Sequence, residues 1–395
     1  MNYLDRLQKN VQLSYIFNVL LFFRTTNAIW LIYLGFKGIS LTQIGILESI
    51  FHITSFIFEV PTGAFADIFG KKISVLCGRI ASIISGCLMI GCDSMWGFSL
   101  AFVFSGLAYT LNSGAGTSIV YDSLLQRSEQ HRYTIIFGTM VALGEISQAV
   151  AVGLGGYLAD ISFVYAYIVT LVVDVLAILV IVDFTEPQIV KACEQRQSFI
   201  AHTKSSIKIL LNTKTVLFLM IYFSIISATG TTVYFYCQKH FEAMNYSCTV
   251  IAIIFSMDSL LRAVCAKYAY KAEAKFEQTS IIVTLLMLII LGLLGLGSLN
   301  GFFAVICYYI ISVADGIGYP IFSHYINSLI PAEQRATLLS LESTMFSISM
   351  IIIFSTIGFL SDITSIGLAF MMLAVFIGLV VMVVVYLICT KQDTA

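Results

Sequence analysis

Four polar side chains repeat at helical spacing within an apolar run, and their chemistry suits proton transfer. They are Glu48, His52, Ser55 and Glu59, at positions i, i+4, i+7 and i+11. On an α-helix, side chains at this spacing point within about 60° of one another. Carboxylates held away from water have raised pKa values and exchange protons near neutral pH, where histidine also titrates. The stripe predicts a proton path through Glu48, His52 and Glu59, or a set of interhelical hydrogen bonds.

Three further ionisable residues interrupt apolar stretches, where burying a charge costs at least a few kcal/mol. Arg24 is central in the first stretch, and its planar guanidinium suits a carboxylate. We expect Glu48 to be its partner, with an anionic substrate as the alternative. Asp258 and Arg262 are spaced i, i+4 and predict an ion pair on one helix face.

A second polar stripe has the same spacing as the first and consists of Tyr308, Ser312, Asp315 and Tyr319. Tyrosine offers an aromatic face and a hydroxyl, which suits amphipathic or cationic ligands, although packing is the alternative. The aromatic residues that we expect in a cavity are Tyr222, Tyr234, Tyr308 and Tyr319. Proton coupling is predicted at Glu48, Glu145 or Asp315. Asp174 has no evident partner in the sequence and is expected either to pair across helices or to relay protons.

The elements that must position these groups are membrane-spanning helices. Only 11% of the 395 residues are charged and 59% are hydrophobic, whereas soluble domains carry about 25% charged residues. Apolar stretches of 18 or more residues are long enough to cross a bilayer of roughly 30 Å, and in lipid they must be helical. The predicted spans are 11–34, 42–64, 73–91, 97–123, 134–158, 161–183, 215–238, 247–268, 279–298, 301–329, 337–360 and 366–389.

Basic residues predict the orientation of the spans. Sixteen lysines and arginines fall in the segments on the side of the termini, and two fall in the opposite loops, Lys37 and Lys239. We therefore expect a multi-pass protein of the cell membrane with both termini in the cytoplasm. The net charge of −1 gives no indication of a polybasic surface that would bind nucleic acid.

An internal repeat predicts two pseudo-symmetric six-helix bundles. Residues 156–162 (GYLADIS) recur as residues 358–364 (GFLSDIT), at an offset of 202, and Gly114-x-Gly116 recurs as Gly316-x-Gly318 at the same offset. We expect an amino-terminal bundle at 1–183, a cytoplasmic linker at 184–214 and a carboxy-terminal bundle at 215–395. Parallel halves of this kind usually place the substrate path at their interface near mid-membrane. The linker spacing of Ile207, Leu210 and Leu211 predicts a short amphipathic helix or a simple tether.

Motifs of other protein classes are missing from the sequence. No GxxxxGK[ST] stretch for nucleotide binding and no nucleophile elbow occurs, and the five histidines lack metal-ligand spacing. We therefore expect a non-enzymatic protein with no cofactor and no metal, acting as a monomer.

The link between spans 2 and 3 carries a resemblance to a known family. The run Gly63-x-x-x-Asp67-x-x-Gly70-Lys71-Lys72 resembles the signature loop of the major facilitator superfamily. Residues 59–67 (EVPTGAFAD) are similar to those of bacterial drug and multidrug permeases. The resemblance implies that the loop latches the two halves in the outward-open state, with Asp67 meeting the start of span 11. A structural turn, with Lys71 and Lys72 at lipid headgroups, is the physical alternative.

Three departures from the family pattern are visible, and one is that residues 97–120 lack the arginine that drug-proton antiporters often have in span 4. Residues 266–275 (AKYAYKAEAK), where a second copy of the loop is expected, keep lysines but lack the glycine and the aspartate. Span 5 has five glycines but lacks the Gly-Pro pair that drug-proton antiporters often carry.

Asp122, at the cytoplasmic end of span 4, is expected to meet Arg127, Arg132 or Lys72, with gating as the alternative.

Together these features predict a secondary active transporter that works by alternating access. The favoured function is proton-coupled efflux of a small amphipathic, cationic compound. The first alternative is an uptake symporter for a sugar or organic anion, in which Arg24 is a ligand. The alternative of another class is a non-transporting membrane sensor or scramblase.

Overall fold

The chain is all-helical in the residues that the structure, a computed structural model, describes: 3–187, 214–329 and 335–392. In chain order the helices are α1 (Tyr3–Phe22), α2 (Trp30–Phe36), α3 (Leu41–Phe69), α4 (Lys71–Gly91), α5 (Met95–Asn112), α6 (Ala115–Gln126), α7 (Tyr133–Ile161), α8 (Phe163–Val182), α9 (Lys214–Ala243), α10 (Cys248–Lys275), α11 (Gln278–Ser298), α12 (Phe302–Leu329), α13 (Arg335–Ile363) and α14 (Ile366–Gln392). One turn of 3₁₀ helix, Gln130–Arg132, precedes α7.

Most of these helices have the length and composition of membrane spans. Within the described ranges, nine helical segments of 19 to 32 residues are apolar enough to cross a bilayer. Large apolar side chains lie on their outer surfaces, such as Leu179, which is 62% exposed, and Ile352, which is 59% exposed. Such surfaces are stable against lipid but not against water.

Two of the predicted spans are broken helices. Span 1 falls on α1 and α2, which are separated by residues 23–29, and span 4 falls on α5 and α6, which are separated by Ser113 and Gly114. Gly114 has a φ of +69°, a left-handed conformation that glycine adopts without steric cost. In the first break, the Thr25 hydroxyl donates to the Ala166 carbonyl oxygen at 2.6 Å, which attaches the non-helical segment to α8.

The described helices form two compact units. Unit 1 comprises Met1–Ile39, Ile46–Gln195 and Ser247–Ser256. Its core includes Phe17, Val75, Ile119, Ala177 and Ile181 from α1, α4, α6 and α8. Gly155 on α7 faces the backbone of Thr25, where a Cβ atom would collide with the carbonyl group, so glycine is required for this close approach.

Unit 2 comprises Ser40–Gly45, Arg196–Tyr246 and Met257–Ala395. Aromatic side chains fill much of its interior, and the rings of Tyr236 and Phe354 lie 4.6 Å apart between α9 and α13. The Tyr236 hydroxyl donates to the Phe354 carbonyl oxygen at 2.9 Å, so this buried phenol is satisfied.

Each unit also includes the first residues of a helix whose remainder belongs to the other unit. Residues 40–45, at the start of α3, belong to unit 2, and residues 247–256, at the start of α10, belong to unit 1. The predicted linker at 184–214 lies outside the described residues except for 184–187 and Lys214, so its amphipathic helix stays a prediction.

Candidate functional site

A partly buried ion cluster in unit 2 joins Arg262 of α10 to two carboxylates. The Arg262 Nε atom lies 3.1 Å from Asp258 Oδ2, and Arg262 Nη1 contacts Asp315 Oδ2 of α12. The predicted pair between Asp258 and Arg262 is therefore present, but it has a third member. With all three groups ionised, the cluster carries one negative charge in excess.

Small residues allow the helices that carry this cluster to approach one another. A Cβ atom on Gly316 would lie 3.1 Å from the Arg262 Cα atom, so α12 packs directly on the backbone of α10. A Cβ atom on Gly230 of α9 would lie 3.3 Å from Asp315 Oδ1. Glycine at both positions therefore brings Asp315 within reach of the guanidinium group.

The two carboxylates differ in their access to solvent. The Asp258 side chain is 2% exposed and the Asp315 side chain is 18% exposed. Asp258 Oδ1 is buried and has no hydrogen-bond partner among the described residues. Asp315 also borders a cavity of ≈ 10 Å³ that Tyr222, Phe223, Tyr319 and Phe322 help to line. This volume is near the lower limit for one water molecule.

Unit 1 contains a cluster with the opposite charge balance. Asp174 of α8 is 1% exposed, and its two oxygens accept from Arg24 Nη1 and Arg79 Nη1, each at 3.0 Å. The Ser82 hydroxyl donates to Asp174 Oδ2 at 2.7 Å. Two guanidinium groups thus share one carboxylate, and Arg79 Nε is buried without a partner in the described part of the chain.

This cluster corrects one sequence-based prediction and shows that Asp174 pairs across helices, which is one of its two expected roles. Arg24 pairs with Asp174 and not with Glu48, and Asp174, which had no evident partner in the sequence, has two. The break between α1 and α2 explains the difference, because Arg24 lies in a non-helical segment attached to α8 and its direction does not follow helical periodicity.

The stripe on α3 is partly enclosed. Glu48 and His52 are buried, and Glu48 Oε1 lies 3.6 Å from His52 Nε2. Ser55 is also buried, and its hydroxyl donates to the Phe51 carbonyl oxygen at 2.9 Å, as expected for a hydroxyl inside a helix. Glu59 is exposed. The first three members therefore share a buried face, and the fourth lies at the surface of unit 1.

The remaining predicted site residues belong to both units, and Tyr222 and Tyr319 share the cavity that Asp315 borders. Glu145 is exposed on unit 1. In unit 2, Tyr222 and Tyr308 are buried, with ring contacts to Phe322 at 5.4 Å and Phe241 at 5.8 Å, respectively. Tyr234 lies beside Phe235, and Tyr319 is 60% exposed.

The loop between α3 and α4 is held by charged groups within unit 1. Gly70 has a φ of +101°, and the Lys71 and Lys72 amides each donate to a Glu186 oxygen at 2.8 Å. Glu186 therefore satisfies the first amides of α4. Nothing in the sequence marks this carboxylate as their partner, because 115 residues separate it from Lys71.

The lysines of this loop have protein partners. Lys71 Nζ pairs with Asp122, which corrects the expectation of Arg127, Arg132 or Lys72 as the Asp122 partner. Lys72 Nζ donates to the carbonyl oxygens of Val182 and Phe184. Gly63 and Asp67 are exposed, and the predicted Asp67 partner at the start of span 11 lies outside the described side chains.

Comparisons with known proteins identify the family. The family model described as "Major Facilitator Superfamily" matches residues 13–353. The chain is 25% identical to the MFS-type transporter YxaM of Bacillus subtilis (strain 168), over 92% of this chain and 91% of that protein. It is 21% identical to the MFS-type transporter MJ1560 of Methanocaldococcus jannaschii, over 97% and 99%, respectively.

Solved structures share the fold. A mutant form of the nucleoside transporter NupG superposes with a TM-score of 0.81 at 12% identity, over 95% of this chain and 98% of that one. A D-xylose-proton symporter superposes with a TM-score of 0.71 at 13% identity, over 93% and 96%, respectively. The predicted fold class, two six-helix bundles in an all-helical membrane protein, is confirmed. The chain belongs to the major facilitator superfamily and is a multi-pass membrane transporter.

Proposed function

We propose that this transporter is a proton-coupled secondary carrier that exports a small amphipathic compound by alternating access. The observation that supports coupling most directly is the sharing of Arg262 by Asp258 and Asp315. Under this proposal the protein acts as a monomer in the cell membrane, with both termini in the cytoplasm.

The charge balance of the cluster suits a reversible proton site. One guanidinium group neutralises one of the two carboxylates, so binding of a single proton removes the excess negative charge. A buried unpaired charge is unfavourable in a low-dielectric surrounding, and the proton therefore changes which conformation is favoured. Asp315 is the proposed proton acceptor, because it is more exposed than Asp258 and borders the small cavity.

Aromatic residues beside Asp315 support an amphipathic cargo. Tyr222, Phe223, Tyr319 and Phe322 line the same cavity as the carboxylate. Aromatic faces attract cations, and a carboxylate supplies the opposite charge. The cavity itself is too small for such a molecule, so Tyr319, which is 60% exposed, is the proposed cargo contact. Export is proposed from the similarity of residues 59–67 to drug permeases.

The cluster around Asp174 favours a second candidate function, uptake of an organic anion. Two arginines share this single carboxylate, which leaves an excess positive charge. Arg24 is the more exposed of the two arginines and is the proposed ligand for an anionic group. The nucleoside and xylose transporters that share the fold make nucleosides and sugars reasonable members of the test panel.

Flux into sealed proteoliposomes with an imposed pH gradient tests the proposal. The panel contains amphipathic cations, organic anions, nucleosides and sugars. We expect gradient-dependent movement of the cations and loss of that dependence in Asp315→Asn, with Asp93→Asn, an exposed carboxylate paired with Lys37, as the control.

The outcomes separate the candidate functions. Movement of anions alone, abolished by Arg24→Gln, would favour uptake of an organic anion. Absence of flux for every class would contradict both proposed cargo classes.

A further inference from the structure

A glycine and an aspartate four residues apart occur at the end of one helix in each half of the sequence. Gly156 and Asp160 end α7, and Gly358 and Asp362 end α13, at the repeat offset of 202. Residues four apart lie on the same helix face. Each pair therefore presents a flat backbone surface with a carboxylate one turn further along.

The first pair holds the start of α10 within unit 1. Asp160 Oδ1 accepts a hydrogen bond from the Cys248 amide at 2.8 Å. Asp160 Oδ2 accepts hydrogen bonds from the Thr249 amide at 2.9 Å and from the Thr249 hydroxyl at 2.5 Å. A Cβ atom on Gly156 would collide with the Cys248 carbonyl oxygen and with Ala252. The contact is thus made of backbone, small residues and one carboxylate.

The second pair holds the start of α3 within unit 2 by the same bonds. Asp362 Oδ1 accepts a hydrogen bond from the Leu41 amide at 3.1 Å. Asp362 Oδ2 accepts hydrogen bonds from the Thr42 amide at 2.7 Å and from the Thr42 hydroxyl at 2.6 Å. A Cβ atom on Gly358 would collide with the Leu41 carbonyl oxygen. Two copies of one geometry make a chance arrangement improbable.

The helices that are held carry a matching sequence signal. Ser40-Leu-Thr42 precedes and begins α3, and Ser247-Cys-Thr249 precedes and begins α10. In each copy the serine hydroxyl accepts a hydrogen bond from the backbone amide three residues later, at 3.3 Å. This local cap leaves the first two amides of the helix for the aspartate of the other helix.

Two different side chains satisfy the amides at each helix start, a local serine and a distant aspartate. This arrangement indicates that the contact can open. The serine keeps the first turn capped whether or not the aspartate is bound. A surface of glycine and backbone also separates without the repacking that interlocked large side chains require. Exposed amides at a helix start attract a carboxylate, so the contact closes again readily.

We propose that the two Gly-x-x-x-Asp pairs are releasable clamps that open and close during the transport cycle. Each clamp fastens the first turn of a helix that continues into the other unit, so its release frees that helix to move with the rest of its unit. With the orientation predicted from the basic residues, both clamps lie on the side opposite the cytoplasm. This role is separate from proton coupling, because neither aspartate belongs to the clusters around Arg262 and Asp174.

Cys248 is a native reporter for the first clamp, because it begins the helix that is held and is 9% exposed. The intact protein in nanodiscs is labelled with a maleimide, and labelled cysteines are quantified by peptide mass spectrometry. Cys237 is fully buried in unit 2 and reports unfolding in the same sample. In the wild type we expect Cys248 to be labelled faster than Cys237.

Two variants should open the first clamp. Asp160→Ala removes the carboxylate, and Gly156→Ala separates the helices. Each should raise the Cys248 labelling rate by about 5- to 30-fold, the change expected for loss of a helix cap, with Cys237 unchanged. Asp160→Asn keeps one acceptor oxygen and should give a smaller rise. Gly153→Ala is the matched control, because its Cβ atom would meet only Ser256 Oγ, at 3.6 Å.

The second clamp is tested with a cysteine at Ile44, a fully buried residue on the first turn of α3. Labelling of Ile44→Cys should rise in the presence of Asp362→Ala or Gly358→Ala. Equal labelling of all Asp160 and Gly156 variants and Gly153→Ala would overturn the proposal. A parallel rise at Cys248 and Cys237 would also overturn it, because it would show a purely structural contact. The labelling requires no substrate or gradient, so its outcome is independent of the proposed function.

Discussion

Asp174→Asn should destabilise the protein more than the replacement of any other unit 1 carboxylate by its amide. In Asp174→Asn, the guanidinium groups of Arg24 and Arg79 lose the anion that both contact at 3.0 Å. Asp174 and Arg79 have side chains that are 1% and 3% exposed, so water cannot replace the lost charge. Breaking a buried ion pair in this way costs about 3–5 kcal/mol.

The matched control is Asp183→Asn at the end of the same helix. Asp183 pairs with Lys9 at 3.0 Å, but both side chains are well exposed, at 59% and 41%. Exposed ion pairs contribute about 0–1 kcal/mol, so this variant should be close to the wild type. The assay is a reversible denaturant titration of the purified protein, which gives the free energy of unfolding.

A second substitution tests whether charge is the cause. Combining Asp174→Asn with Arg79→Met removes one of the two unpaired cations and should recover part of the lost stability. The two substitutions are then non-additive, as expected for residues in contact. If Asp174→Asn and Asp183→Asn unfolded with the same free energy, the cluster would not be a buried ion network and the reasoning would be refuted.

Two further changes test close contacts within unit 1. Gly155→Ala places a Cβ atom against the Thr25 backbone and should lower the free energy of unfolding by about 1–3 kcal/mol; Gly138→Ala, with nothing within 4 Å, should not lower it. Glu186→Ala removes the acceptor of the Lys71 and Lys72 amides and should lower it by about 0.5–2 kcal/mol. The same titration measures both, and an unchanged value for either variant would contradict the corresponding contact.

Local patterns predicted the parts of the site that lie on one continuous helix. The i, i+4 spacing of Asp258 and Arg262 was sufficient for their ion pair, because helical geometry alone brings them together. The shared buried face of Glu48 and His52 followed from the same periodicity. The family and the fold class were also accessible, from hydropathy, the repeat and the loop at 63–72.

Contacts between distant segments were not accessible from these patterns. Arg24 and Asp174 are 150 residues apart, and the direction of Arg24 depends on a helix break. Polar residues at 24–27 and the Asn112-Ser-Gly114 run signal such breaks, but continuous hydropathy on both sides obscured them. The repeat identified Asp160 and Asp362, but only the structure shows which amides they accept.

The claim that Asp315 couples proton and cargo movement is tested most directly by comparing two modes of transport in one variant. Proteoliposomes containing Asp315→Asn are assayed for exchange of labelled cargo at equal pH and for accumulation driven by a pH gradient. A carrier that keeps its cargo site but has lost its proton site should retain exchange and lose accumulation. Accumulation equal to that of the wild type would contradict the proposed role of the Arg262 cluster.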